Sequence, residues 1–172
     1  MKVEEAIMNR YSVRSFQDKD IPEEIIEKVK TAIWASPSAD NRQPYKFIFI
    51  KDKETKEKLV SQGKTYHFVK DAPVVIVAIA DPSEAYPYIG NKRKPVYLID
   101  IGIALAQANL VLTENNIGGC WVIVFDEKKI KEILNIPEHL EVVALFPIGY
   151  SNSKRKSLSR KPKDKLFYQS SL

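Results

Sequence analysis

The chain has 172 residues, 44% hydrophobic and 28% charged, a balance that suits one soluble globular domain able to bury a core without staples. A single cysteine, Cys120, and two well-separated histidines, His67 and His139, exclude an internal disulfide, a cysteine metal cluster and a zinc-type ligand spacing, so no metal site is expected. The net charge of +5 gathers in a basic tail, 151–172, where Lys154, Arg155, Lys156, Arg160, Lys161, Lys163 and Lys165 stand against Asp164 alone, which favours an anionic partner such as nucleic acid or a phosphorylated cofactor.

No apolar run approaches the ~20 charge-free residues of a membrane span, and the start, Met1 to Ile7, lacks the apolar core and cleavage site of a signal peptide. The expected compartment is therefore the cytoplasm, with no membrane partner.

Val3, Ala6 and Ile7 share one helical face and predict a short first helix that delivers the chain to Arg10. Arg10, Ser12 and Arg14 then alternate along an extended stretch. At this spacing two guanidiniums and a hydroxyl project to one side and can hold a doubly charged phosphate. A second helix starts near Pro22, with Glu23 and Glu24 at its positive end and Ile25, Ile26, Val29, Ala32 and Ile33 as its apolar stripe. The loop after Trp34 supplies Ser38, Asn41 and Gln43, whose amides and hydroxyl can read the edge of a flat heterocycle, with Pro37 and Tyr45 as apolar surface beside it.

Tyr45 to Ile50 reads as a strand, Lys53 to Ser61 as a charged helix, and the continuous apolar run Pro73 to Ala80 as a strand covered on both faces. A Tyr- and Pro-rich connection leads to Pro95. From Val96 to Asn115 the pattern predicts a long helix that is apolar almost all round, through Ile99, Ile103, Ala104, Ala106, Ala108, Leu110 and Val111. Such a helix needs cover on several sides, which a subunit interface supplies. Gly118-Gly119 is expected to end it, Cys120 to Phe125 to form a strand, Asp126 to cap a helix from Glu127 to Leu134, and Glu141 to Gly149 to form the last strand. The order fits an α/β or α+β sandwich, one domain over 1–172.

Several catalytic devices are missing from the sequence. There is no Gly-x-Gly-x-x-Gly, no phosphate-loop lysine motif and no serine elbow, and Cys120 reads as a buried structural thiol. Nucleic-acid binding through the tail lacks an aromatic stacking platform.

With these residues in view, Arg10-Tyr-Ser12-Val-Arg14-Ser-Phe16 resembles the Arg-x-Ser-x-Arg/Lys-x-Phe signature of the nitroreductase family. Pro37-Ser38-Ala39-Asp-Asn41-Arg-Gln43-Pro44-Tyr45 is similar to that family's Pro-Ser-x-x-Asn-x-Gln-Pro-Trp loop. Asp71-Ala72-Pro73, Asp100-Ile-Gly-Ile-Ala, Gly118-Gly-Cys-Trp121, Phe125-Asp126 and Arg160-Lys161-Pro162 fit in the same order. The resemblance implies an α+β fold with a mostly antiparallel central sheet flanked by helices, in an intertwined homodimer with two interface sites.

It also implies FMN as cofactor, with Arg10 and Ser12 near the phosphate, Tyr11 in the same binding stretch, and Arg14 near the ribityl chain or pyrimidine edge. Arg160 and Lys161 would complete the phosphate grip. Pro37, Ser38 and Ala39 would reach the cofactor from the partner subunit, Asn41 and Gln43 would bond the ring edge, and the main chain at Ile123 and Val124 would approach the ring. Many relatives have an acidic residue where this chain has Ile123, glycine where it has Val124, and tryptophan where it has Tyr45. The implied activity is an oxidoreductase that takes a hydride from NADH or NADPH and reduces nitroaromatics, quinones or similar acceptors by ping-pong transfer through flavin N5. No catalytic side chain is required, because the acceptor can take its proton from water or the reduced flavin. The alternative is a non-catalytic flavin store, sensor or relay.

Overall fold

A computed structural model describes residues 1–154 and 159–169 of the protein; Arg155 and Lys156 of the basic tail lie outside the described residues. Four strands form the central sheet: β1 (Tyr45–Ile50), β2 (Val74–Ala80), β5 (Gly118–Gly119) and β6 (Glu141–Gly149). Their order is β1-β2-β6-β5, and each neighbouring pair is antiparallel.

β2 is buried along its whole length because its two faces meet different layers. Val74, Ile76, Ala78 and Ala80 join the apolar stripes of α2 (Glu23–Trp34) and α5 (Tyr97–Glu114). Val75, Val77 and Ile79 pack instead with Leu59 and Val60 of α3 (Lys53–Ser61), Val69 of α4 (Phe68–Asp71) and Ile130 of α6 (Glu127–Leu134). A strand with no polar face is therefore the floor of two cores, at about 1.5–3 kcal/mol for each large apolar side chain buried. Lys56 shares the buried face of α3, where its Nζ donates to the carbonyls of Ala72 at 2.6 Å and Pro73 at 3.4 Å. That bond fixes the Asp71-Ala72-Pro73 corner leading into β2. Burial pushes the Lys56 ammonium below its ordinary pKa, against the pull of Asp20, Asp52, Asp18 and Asp71.

The predicted strands at 45–50 and 141–149 and the helices at 53–61 and 127–134 form as expected, and Asp126 caps α6 by accepting from Lys129 N at 3.2 Å. Several details differ. In α1 (Val3–Asn9) only Ala6 is buried, while Val3 and Ile7 are exposed. α5 ends at Glu114 with Asn115 as its C-cap, and Asn116 makes the left-handed reversal with φ of 59°, so Gly118-Gly119 does not terminate the helix but begins the sheet edge. Cys120 to Phe125 is not a continuous strand. Cys120 N donates to Pro147 O at 3.3 Å, but Pro147 has no N–H to return, and the ladder resumes only at the Val122 and Leu145 bridge. The connection after Pro82 contains a small hairpin, β3 (Tyr88–Ile89) with β4 (Lys92–Arg93), that the sequence pattern did not signal. α5 is also long and apolar enough, by length and composition, to cross a membrane; here it packs as a core helix against α2 and β2.

The edge of β5 is covered by the segment after α1. Ser12 forms a parallel bridge with Gly119, Val13 N donates to Gly119 O at 3.1 Å, Phe16 bridges Ser151, and Gln17 N donates to Tyr150 O at 2.8 Å. Glycine is required at the contact: a Cβ on Gly118 would lie 2.4 Å from Val13 Cγ2.

Candidate functional site

Because the segment from Arg10 runs as an extended chain along β5, its side chains alternate between two sides. Arg10, Ser12 and Arg14 line a cavity of about 390 Å³, closed by Gly119, Cys120 and Trp121 from the sheet edge and by Ala106, Asn109 and Leu110 from α5. Tyr11 and Val13 face the other way, into a separate cavity of about 270 Å³, and Tyr11 Oη donates to Ser153 O at 2.8 Å. Arg10, Ser12 and Arg14 are thus brought together on one side, and Tyr11 lies on the other.

Among the described residues no carboxylate lines the larger cavity, so its electrostatics are set by two guanidiniums beside an apolar wall. Trp121 is 43% exposed and stands edge-on to Phe146, with ring centroids 6.5 Å apart. Cys120 is buried. Burial pushes its thiol pKa up, while the Arg14 charge and hydrogen bonding to Ser12 and Arg14 only partly oppose this, so it stays a protonated structural thiol as read from sequence. Asn109 also lines the cavity. Its Oδ1 is buried with no hydrogen-bond partner among the described residues, although its backbone carbonyl accepts from Thr113 Oγ1 at 2.7 Å.

The second predicted element is a loop held in a tight form. Asp40, Asn41 and Gln43 have φ of 56°, 53° and 50°, in the left-handed region that favours glycine. Gln43 N donates to Ser38 Oγ at 2.9 Å, Gln43 Nε2 donates to Asn41 O at 2.8 Å, and Ala39 N donates to Asp100 Oδ1 of α5 at 3.0 Å. Pro37, Asn41 and Gln43 are exposed, and Ser38 and Ala39 half-buried. Within one chain the structure does not bring Pro37, Ser38, Ala39, Asn41 or Gln43 to the cavity lined by Arg10. Nor does it bring Arg160 and Lys161, which are exposed, Arg160 Nη1 donating to Ser159 O at 2.7 Å. Ile123 and Val124 follow Trp121 off the sheet and are 74% and 53% exposed.

Two polar residues of α5 carry roles that sequence reasoning missed. Asn109 and Asp100 are 5% and 2% exposed. The available signal was a carboxamide and a carboxylate well inside a mostly apolar helix, where each needs a reason to be buried.

Fold and cavity together define an α+β protein with a cavity that sets two guanidiniums beside an apolar wall. The sequence profile of the nitroreductase family matches residues 7–62 and 58–150, and the chain belongs to that family. It is 32% identical over 154 residues to a Methanothermobacter thermautotrophicus protein provisionally named NADH dehydrogenase/NAD(P)H nitroreductase, covering 87% of this chain and 78% of the relative. A nitroreductase family protein of Clostridium difficile 630 superposes with a TM-score of 0.90 at 28% identity, over 100% of both chains. An FMN-dependent nitroreductase of Clostridium difficile R20291 superposes with a TM-score of 0.83 at 25% identity, over 97% of this chain and 98% of that one.

Proposed function

We propose that the protein is a cytoplasmic NAD(P)H-dependent FMN oxidoreductase that reduces nitroaromatic, quinone or similar small-molecule acceptors. The observation that carries this reading is the alternation that puts Arg10, Ser12 and Arg14 together over the wall of Trp121 and Leu110. The donor set fits FMN: two guanidiniums and a hydroxyl suit one terminal phosphate, and the unpartnered Asn109 Oδ1 suits a ligand that also carries hydroxyls. The absence of a dinucleotide fingerprint favours FMN over FAD. The FMN-dependent relative and the NAD(P)H nitroreductase name support the same reading.

The chemistry FMN supplies when bound is acceptance of a hydride at N5 from NADH or NADPH and its delivery to a second substrate. The chain's own residues bind and tune. Arg10 and Ser12 would hold the phosphate, Arg14 would place positive charge toward the ribityl chain or pyrimidine edge, and Trp121 would offer apolar surface beside it. The exposed residues Ile123 and Val124 would border the ring, where their side chains would narrow the space for substrate.

The working unit is a homodimer on this reading. Ile99, Ile103, Ala106 and Leu110 fall at i, i+4, i+7 and i+11 of α5 on a face the single chain leaves exposed or half-covered, a stripe suited to a second copy. That copy brings its Pro37 to Gln43 loop to the neighbour's ring edge, and Arg160 and Lys161 close the phosphate grip.

The test is the visible spectrum of the purified protein with its cofactor released and identified by mass, followed by steady-state NADH and NADPH consumption with a quinone. FMN and turnover are expected. Recovery of FAD, or colourless protein that ignores added FMN, overturns the cofactor assignment; FMN without turnover favours a flavin store or relay. Light scattering that finds a folded, FMN-loaded monomer at low micromolar concentration overturns the dimer.

A further inference from the structure

The Ser38 loop adopts a backbone that its own residues favour only in part: Asp40 and Asn41 are types that tolerate the left-handed region, but Gln43 is not. Asp40, Asn41 and Gln43 are left-handed, at φ of 56°, 53° and 50°, within six residues that contain no glycine. Such a turn persists only when something outside it over-determines its shape. The bonds from Gln43 to Ser38 and Asn41 lie within the loop and would move with it. Among the described residues two hydrogen bonds reach from residues 38–43 to distant elements, and Arg42 also lies over the Tyr86 ring at 5.6 Å. Arg42 Nη1 donates to Ala85 O at 3.4 Å, a long contact from an exposed side chain. Ala39 N donates to Asp100 Oδ1 at 3.0 Å, and Asp100 is 2% exposed on the first turn of α5, wedged among the residues that bind α5 to α2 and β2. The bond to Asp100 is the shorter of the two and comes to a buried side chain on a core helix, so it is the stronger by geometry.

We infer that Asp100 is the positioning residue of the Ser38 loop: its carboxylate, fixed on the core helix, holds the left-handed turn in the one shape in which Ser38, Asn41 and Gln43 can meet a ligand. The conformational claim stands on the geometry alone, and its consequence for flavin affinity rests on the proposed function. Asp100 and the exposed stripe of Ile99 and Ile103 occupy the same turn of α5, so loop shape and dimer face are set by one rigid element.

The experiment compares wild type with D100A, D100N and the double variant D100A/D40G, reading amide hydrogen exchange in the FMN-free protein and FMN affinity by fluorescence titration. In D100A, exchange within residues 38–43 accelerates about tenfold or more while β2 keeps its protection, and FMN binding weakens about tenfold, the scale of one lost hydrogen bond. D100N keeps an oxygen that can accept from Ala39 and stays within about threefold of wild type on both readouts. D100A/D40G recovers part of the loss, because glycine takes the left-handed conformation without the Cβ clash. Should D100A fail to fold, D100S, whose hydroxyl bonds within its own helix and cannot reach Ala39, carries the same expectation.

Unchanged exchange at 38–43 in D100A or D100S overturns the inference, as does a D100N variant as loose as D100A. A protein that binds no flavin would sink the proposed function and leave the exchange result to decide this inference by itself.

Discussion

Replacing Gly118 by alanine tests whether the phosphate grip depends on how closely its strand lies against β5. The added Cβ would sit 2.4 Å from Val13 Cγ2 and 3.3 Å from Val13 Cβ, and Val13 is 2% exposed, so it has nowhere to turn. The strand must move out. Overpacking of this kind costs about 1–3 kcal/mol. The displaced segment carries the 3.1 Å bond from Val13 N to Gly119 O, and with it Arg10, Ser12 and Arg14, so FMN affinity should fall about tenfold as charge-assisted bonds lose alignment. Val13→Ala removes the clashing methyl. Alone it destabilises by about 1.5–3 kcal/mol through lost burial, but in combination it should reduce the cost of the alanine at 118 to well under ~1 kcal/mol. Urea denaturation and FMN titration of the two single variants and the double variant measure both effects. Strict additivity, or a Gly118→Ala protein as stable and as tight-binding as wild type, refutes the close-approach argument.

Three further outcomes are expected. Tyr97 Oη donates to Glu141 Oε2 at 2.6 Å, and burial, reinforced by that bond, pushes its pKa from 10.0 up to about 12. The folded state keeps a proton that the unfolded chain releases, so this stabilisation is complete below pH 10 and is lost as pH rises toward 12, roughly 1–3 kcal/mol in all; urea midpoints of wild type and Tyr97→Phe should converge across that window, and parallel curves would exclude it. Asn109→Leu, of similar size, should weaken FMN and riboflavin about tenfold yet leave lumiflavin, which lacks the ribityl chain, unchanged; an equal loss for lumiflavin would make Asn109 a packing residue. Arg10→Ala and Arg160→Ala should each weaken FMN about ten- to a hundredfold with non-additive effects in the double variant, and an Arg160→Ala protein with wild-type affinity would show that the tail does not close the site.

What could be read from sequence was what local chain geometry determines. Alternation placed Arg10, Ser12 and Arg14 on one side because the period of an extended chain does not depend on what lies beneath it. The continuous apolar run of β2 gave a doubly covered strand for a similar reason. The errors arose where a distant residue decides. Gly118-Gly119 reads as a helix stop because glycine commonly follows a C-cap, but Asn116 makes the reversal here, and the glycines are kept small by Val13, Phe146 and Ile148, more than 20 positions away. Cys120 to Phe125 has the composition of a strand, yet the missing N–H belongs to Pro147 on its neighbour. The loop is the sharpest case. Its amides read from sequence as a polar clamp, but its left-handed backbone is tied to Asp100, some 60 positions along the chain, and none of its residues lines the cavity of its own chain. An exposed loop tied to α5 and a stripe of the same helix that the single chain leaves uncovered are what the proposed dimer would bring together, and no local pattern reports a contact between two copies.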